Sequence, residues 1–150
     1  MKGLIIKNMA DIQAITENRG YTTFCVKPVV VDKDIDTCSV SFIEVPPGKQ
    51  AWSYHYHDQS EEIFYIISGQ GQLRSFYGEK SIKAGDMLCF PTGEKGGHSI
   101  LNTSETEPLV YVDFEVKASK TDIVTLPDTE KFLITGNHLP DWTAVEIPKK

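Results

Sequence analysis

The chain has 150 residues, and its 21 acidic and 15 basic side chains leave a formal charge of −6. That balance disfavours a phosphate-backbone footprint, and no run approaches the roughly 18 apolar residues of a membrane-crossing helix. With 40% hydrophobic and 24% charged residues, the composition suits one globular domain over 1–150 with a sizeable core.

Residues 1–8 place only three apolar residues between lysines, too few for a signal-peptide core, so the cytoplasm is the expected location. Met9 to Thr16 reads as two helical turns, stopped at Asn18-Arg19-Gly20. β-Branched and aromatic residues then take over. Strands are expected over about 22–30, 39–45, 52–57, 62–67, 72–77, 86–90, 98–102 and 109–116. Turn-rich separators such as Pro46-Pro47-Gly48, Ser68-Gly69 and Pro91 to Gly97 lie between them, and 79–85 reads as a connection. In the tail, Asp122 to Leu126 and Phe132 to Thr135 form short segments, with Pro127, Pro140 and Pro148 as interruptions. Trp142 is expected to pin this tail to the barrel or to a partner subunit. Short strands at short intervals define an antiparallel sandwich or barrel, not βαβ units.

Three of the four histidines fall within these strands. His55 and His57 stand at i and i+2, so their side chains leave one face of a strand, with Tyr54 and Tyr56 on the other. The Asp58-Gln59-Ser60 turn returns the chain so that Glu62 lies beside them, on the face of Phe64 and Ile66. Glu61 then faces solvent or a turn. His98 arrives from a second strand. Three imidazoles and one carboxylate suit a single divalent ion, with Zn, Fe, Mn, Ni, Co and Cu all open. An HxH pair alone is equally a buried, hydrogen-bonded strand pair; Glu62 and His98 together turn the reading toward metal.

These residues resemble the two motifs of the cupin superfamily. Gly48, His55, His57, Glu62 and Gly69 match the first, and Gly85 through Pro91 and Gly93, followed by His98 and Asn102, match the second. The strongest resemblance covers 46–116. Six residues between Gly48 and His55, and four between Gly93 and His98, make the spacings one and two residues longer than usual. Asp122-Ile123-Val124 through Leu126-Pro127-Asp128 also resembles small single-domain cupins. The resemblance implies an all-β double-stranded β-helix, or jelly roll, with short N- and C-terminal extensions. It implies one divalent metal at His55, His57, Glu62 and His98. It also implies a homodimer, in keeping with large residues on the expected outer face at Tyr54, Tyr56, Ile63, Tyr65 and Ile67.

The remaining chemistry-bearing residues carry plainer expectations. Cys25, Cys38 and Cys89 form no metal or redox spacing and read as structural thiols. Asp86 organises a strand-opening turn. Arg74 and Lys95 are the cations available for an anionic ligand, with a solvated surface role as the alternative. Gly96-Gly97 either shapes the approach to the metal or absorbs the longer spacing. His138 reads as a surface or subunit-contact residue. No nucleotide loop, GxSxG elbow or HExxH helix is present in the sequence. The expected function is a metal-dependent protein acting on a small polar or carboxylated metabolite, as an isomerase, epimerase or dioxygenase. The alternative is a metal-assisted sensing or storage module without turnover.

Overall fold

The computed structural model describes residues 3–31, 34, 35, 37–136 and the strand at 143–146. His138 and Trp142 lie outside the described residues. The strands are β1 (Ile15–Arg19), β2 (Thr22–Val30), β3 (Cys38–Val45), β4 (Gln50–His57), β5 (Ser60–Ser68), β6 (Gln70–Ser75) and β7 (Gly78–Lys83). They continue as β8 (Met87–Phe90), β9 (His98–Asn102), β10 (Leu109–Lys117), β11 (Thr121–Leu126), β12 (Lys131–Gly136) and β13 (Thr143–Glu146). Three single 3-10 turns, at Met9–Asp11, Glu94–Gly96 and Pro127–Thr129, are the helical elements among the described residues. The all-β architecture is as expected.

One path of pairing runs β13-β12-β11-β4-β2-β3-β10-β5-β8, with β9 bridging β4 to the β6–β7 hairpin and β1 paired to β2. Among the described residues every pairing is antiparallel except the single parallel bridge Thr22↔Gln50. Period-two alternation then fills the interior. Phe24, Ile43, Val45, Phe64, Ile66 and Tyr111 form its centre, each at most 2% exposed. Removing one such aromatic ring costs about 3–5 kcal/mol in comparable cores.

Three elements differ from the sequence expectation, one of them β13, a strand where the tail was expected to have none. Asn8 caps only one 3-10 turn before Ile12 turns extended, and the helix-compatible stretch after it becomes β1. β1 pairs with β2 from Ile15↔Val26 to Arg19↔Thr22. Gly20, at φ +76°, takes the first central position of that two-residue hairpin. Tertiary pairing thus overrides a weak helical pattern. The second difference is β7, which replaces the expected connection at 79–85. Ile82 is its one buried side chain, so charged neighbours hide its alternation in the sequence.

The inward parity changes chemistry along the strands. On β10, Leu109 and Tyr111 in the core give way to Asp113 and Glu115. On β5, Ile66 and Phe64 give way to Glu62 and Ser60, all buried. On β9, Ile100 is succeeded toward the strand start by His98. One end of the barrel interior is therefore apolar and the other carries ionisable groups.

Candidate metal centre

β4 carries two of the histidines past a backbone irregularity. Its pairing with β9 shifts register between Ala51 and His55, and Trp52 adopts φ +53° there. The extra spacing before His55 is taken up by this bulge, which re-aims the strand so that His55 sits opposite His98. His55, His57, Glu62 and His98 are all buried. Glu61 is exposed, as the alternation requires.

Their polar atoms meet at one point. Glu62 Oε2 lies 3.2 Å from His98 Nε2, 3.4 Å from His57 Nε2 and 3.9 Å from His55 Nε2. The opposite nitrogen of each ring has its own acceptor. His55 Nδ1 donates to Ser53 O at 2.8 Å, His98 Nδ1 to Gly96 O at 2.8 Å, and His57 Nδ1 to Asp122 Oδ2 at 2.7 Å. A carbonyl oxygen only accepts, so the protons of the His55 and His98 rings sit on Nδ1, and their neutral forms present Nε2 lone pairs to Glu62. Glu62 Oε2 and His98 Nε2 are buried without a hydrogen-bond partner. Convergent lone pairs around an orphaned carboxylate oxygen form an arrangement that a cation satisfies.

His55, Glu62 and His98 form a group with ligand atoms all within 4.8 Å of one another that can hold a metal ion. His57 belongs by distance to a second such group, with Glu115 and Asp122, while its Nε2 still faces Glu62. The structure thus brings together all four residues expected from the sequence.

The electrostatics follow from burial and charge. Burial, aided by His98, drives the His55 ring down to about 3, keeping it neutral. Burial also depresses His57, but the Asp122 hydrogen bond and the Glu62 charge outweigh it and raise the ring to about 9. Burial lifts Glu62, yet the imidazoles around it, His98 foremost, hold its carboxyl below the usual carboxylate range. Asp113 moves the other way. Burial, then Glu62 and Glu115, push it well above that range.

The rings are fixed by packing as well. Phe90 stacks on His98 at a centroid distance of 3.7 Å and an interplanar angle of 17°. Phe64 meets the same ring edge-on at 5.3 Å. The Gly96-Gly97 pair shapes the site directly. A Cβ on Gly96 would collide with the Pro91 carbonyl, and one on Gly97 with the Tyr54 hydroxyl. Gly93 N donates to His57 O at 2.7 Å, tying the loop to β4.

A cavity of about 110 Å³ opens beside the cluster, room for several waters or a small metabolite. His55, His57 and Glu62 line it together with Asp113 and Glu115 from β10. Val124, Leu126 and Leu133 of the tail strands supply an apolar wall, and Arg19 and Trp52 also line it.

Several plainer expectations are settled here. Asp86 Oδ2 accepts from Lys83 N at 2.9 Å and organises the turn as expected. Arg74 is engaged away from the histidine cluster. It makes a bidentate pair with Asp128, with Nη2–Oδ1 at 2.9 Å, and lies 4.3 Å over the Tyr54 ring. Under that guanidinium Tyr54 is 8% exposed, so it is not the open outer-face residue the sequence suggested. Lys95 is exposed on its turn. Cys25 and Cys38 are half-buried free thiols, whereas Cys89 is exposed, which corrects its reading as a buried structural thiol. Asn102 is fully buried and structural. It donates to Val45 O and Glu107 O at 2.8 Å each.

Sequence reasoning missed Asp122, Asp113 and Glu115 as site residues. For the last two the signal was available, because they share parity with Leu109 and Tyr111. For Asp122 no local signal existed, since its partner lies 65 residues away.

Residues 41–115 match the Cupin domain family, and the chain belongs to it. The barrel is the double-stranded β-helix of that superfamily. The chain is 37% identical over 65 residues to an oxalate-binding protein of Thermotoga maritima, covering 43% of this chain and 51% of that protein. It is 33% identical over 95 residues to a probable oxalate decarboxylase of Arthroderma benhamiae, covering 60% of this chain and 22% of that protein. The chain therefore spans about half or less of the curated relatives it matches. Among solved structures, a candidate sugar phosphate isomerase of Acidithiobacillus ferrooxidans superposes with a TM-score of 0.77 at 25% identity, covering 92% of this chain and 87% of that one.

Proposed function

We propose that His55, His57, Glu62 and His98 hold one divalent metal ion, and that the protein acts there on a small polar metabolite as an isomerase or epimerase. The observation that carries this reading is the convergence of three Nε2 atoms on Glu62 Oε2, with Glu62 Oε2 and His98 Nε2 buried and unpartnered. Such an ion supplies Lewis-acid polarisation of a carbonyl or carboxylate oxygen, and iron would add oxygen activation.

The chain's own groups do the rest. The Nδ1 acceptors Ser53 O, Asp122 and Gly96 O hold the three rings in one tautomer and orientation. Phe90 and Phe64 keep water from the His98 ring. Val124, Leu126 and Leu133 give the ligand an apolar face to rest on, while Asp113 offers a carboxyl biased toward its protonated form. The similarity to a sugar phosphate isomerase candidate supports the isomerase reading.

A second reading, metal-assisted binding without turnover, is favoured by the similarity to an oxalate-binding protein. We propose a homodimer in either case. The test is metal analysis of protein purified without added metal, followed by turnover screens on the loaded protein. Absence of tightly held metal after loading overturns the metal centre. Saturable ligand affinity without turnover selects the binding reading.

A further inference from the structure

We propose that Asp113, flanked by Glu115, selects a polyhydroxylated small molecule, a sugar or polyol, over a dicarboxylate as the occupant of the cavity. This rests on the metal-centre reading above and names its substrate class.

β10 forms the acidic wall of the cavity. Its inward ladder runs Leu109, Tyr111, Asp113, Glu115, so two acids replace core residues at the level of the cavity, and both line it. In the β10–β5 register Glu115 stands directly opposite Glu62, and Asp113 opposite Phe64. Like charges directly opposed across strands are destabilising. Local rules are broken in this way chiefly at functional sites. Glu62 is spoken for by the imidazoles, and Glu115 accepts from Ser39 Oγ at 3.2 Å, which leaves Asp113 as the principal wall residue facing a ligand.

Counter-charge is scarce around those acids. Among the described residues lining the cavity, Arg19 is the one fixed cation. It already pairs with Glu17 at 3.3 Å and lies 5.3 Å over Trp52. A dicarboxylate too long to chelate a metal through both ends would bring its free charge toward Glu115, and Arg19, shared with Glu17 at the cavity edge, is the one cation among the lining residues to offset it. A hydroxyl suits the same wall, because it donates to a carboxyl oxygen in either protonation state of the acid. One end of the ligand thus has a metal-directed oxygen pair, and the other has hydroxyls.

The test uses the 150-residue protein loaded with Mn²⁺, its metal content read first, and calorimetric titration with xylitol, D-ribose and succinate, whose second carboxylate cannot join the first in a small chelate ring. Xylitol and D-ribose are expected to bind about tenfold more tightly than succinate. Asp113→Leu should weaken xylitol binding about tenfold at unchanged metal content, the loss of one ligand hydrogen bond. Asp113→Asn, which keeps an acceptor oxygen in the same place, should retain it and guards against a merely structural effect. Glu115→Gln should strengthen succinate binding. Tighter binding of succinate than of both polyols, silence of both polyols on metal-loaded protein, or an unaffected Asp113→Leu variant overturns the inference while leaving the metal centre standing. Failure to load metal overturns the metal centre and this inference with it.

Discussion

Asp122 Oδ2 accepts a 2.7 Å hydrogen bond from His57 Nδ1, while its Oδ1 accepts from the backbone amides of Gln59 at 2.7 Å and Asp58 at 3.1 Å. One carboxylate on β11 therefore fixes a histidine ring and also the turn that swings Glu62 back beside it. The tail is a working part of the site. β11 pairs with β4 at Val124↔His57, which delivers Asp122 to that place. Replacing such an outer partner costs about 10–100-fold in metal affinity. The expected order is wild type, then Asp122→Asn, then Asp122→Ala, since Asn keeps an oxygen for the turn amides. Chelator-competition titration checks it, and equal affinity of wild type and Asp122→Ala would sink it.

Proton competition should be visible in the pH dependence of metal uptake. In the metal-free protein His57 is raised to about 9 from 6.5, so its contribution to stability is full below 6.5 and is lost as pH rises through 9. Metal must displace that proton below 9. His55, lowered to about 3, is already neutral and releases nothing near pH 7. Affinity is thus expected to rise about tenfold per pH unit between 7 and 8 from His57 alone, and to level off above 9. A flat profile over that interval would refute the assignment of His57 as a ligand.

Much of the centre was readable because strands have a period of two. His55 and His57 share a face, and Glu62 rather than Glu61 points inward, on alternation alone. β1 was not readable, because its fate is set by pairing with β2 and not by its own pattern. β7 hid behind charged residues around Ile82. Asp113 and Glu115 obey the same alternation, but carboxylates on a strand resemble a solvated face until the opposite strand is known. Tyr54 shows the converse. It lies off the histidine face as expected, yet Arg74 and the Gly97 turn cover it.

The outer face of β5 and β8 should mediate dimerisation. Tyr65 stands opposite Met87 in register, and these are 44% and 63% exposed, with Ile67 at 37% beside them. Contiguous exposed apolar side chains of this kind mark association surfaces. Light scattering is expected to give twice the monomer mass for wild type, and the Tyr65→Glu, Met87→Glu double variant should run as a monomer with unchanged metal content. A concentration-independent monomer mass for wild type rules this out.

The Gly96-Gly97 loop gives the most direct test of how the site is held. Gly96 O accepts from His98 Nδ1 at 2.8 Å, and the residue packs against the Pro91 backbone so closely that a Cβ has no room. Pro91 precedes the loop and offers backbone atoms, not a flexible side chain, so the strain of an added methyl must move the loop itself. Gly96→Ala is therefore expected to cost about 1–3 kcal/mol of stability. It should also weaken metal binding, because the carbonyl that orients His98 moves with the loop. Gly3→Ala is the control, since a Cβ there meets nothing within 4 Å. Thermal unfolding with and without metal separates the two effects: the metal-induced rise in midpoint should shrink in Gly96→Ala and stay intact in Gly3→Ala. A full metal-induced rise in Gly96→Ala would show that His98 is oriented by the stack on Phe90 alone, and not by the loop.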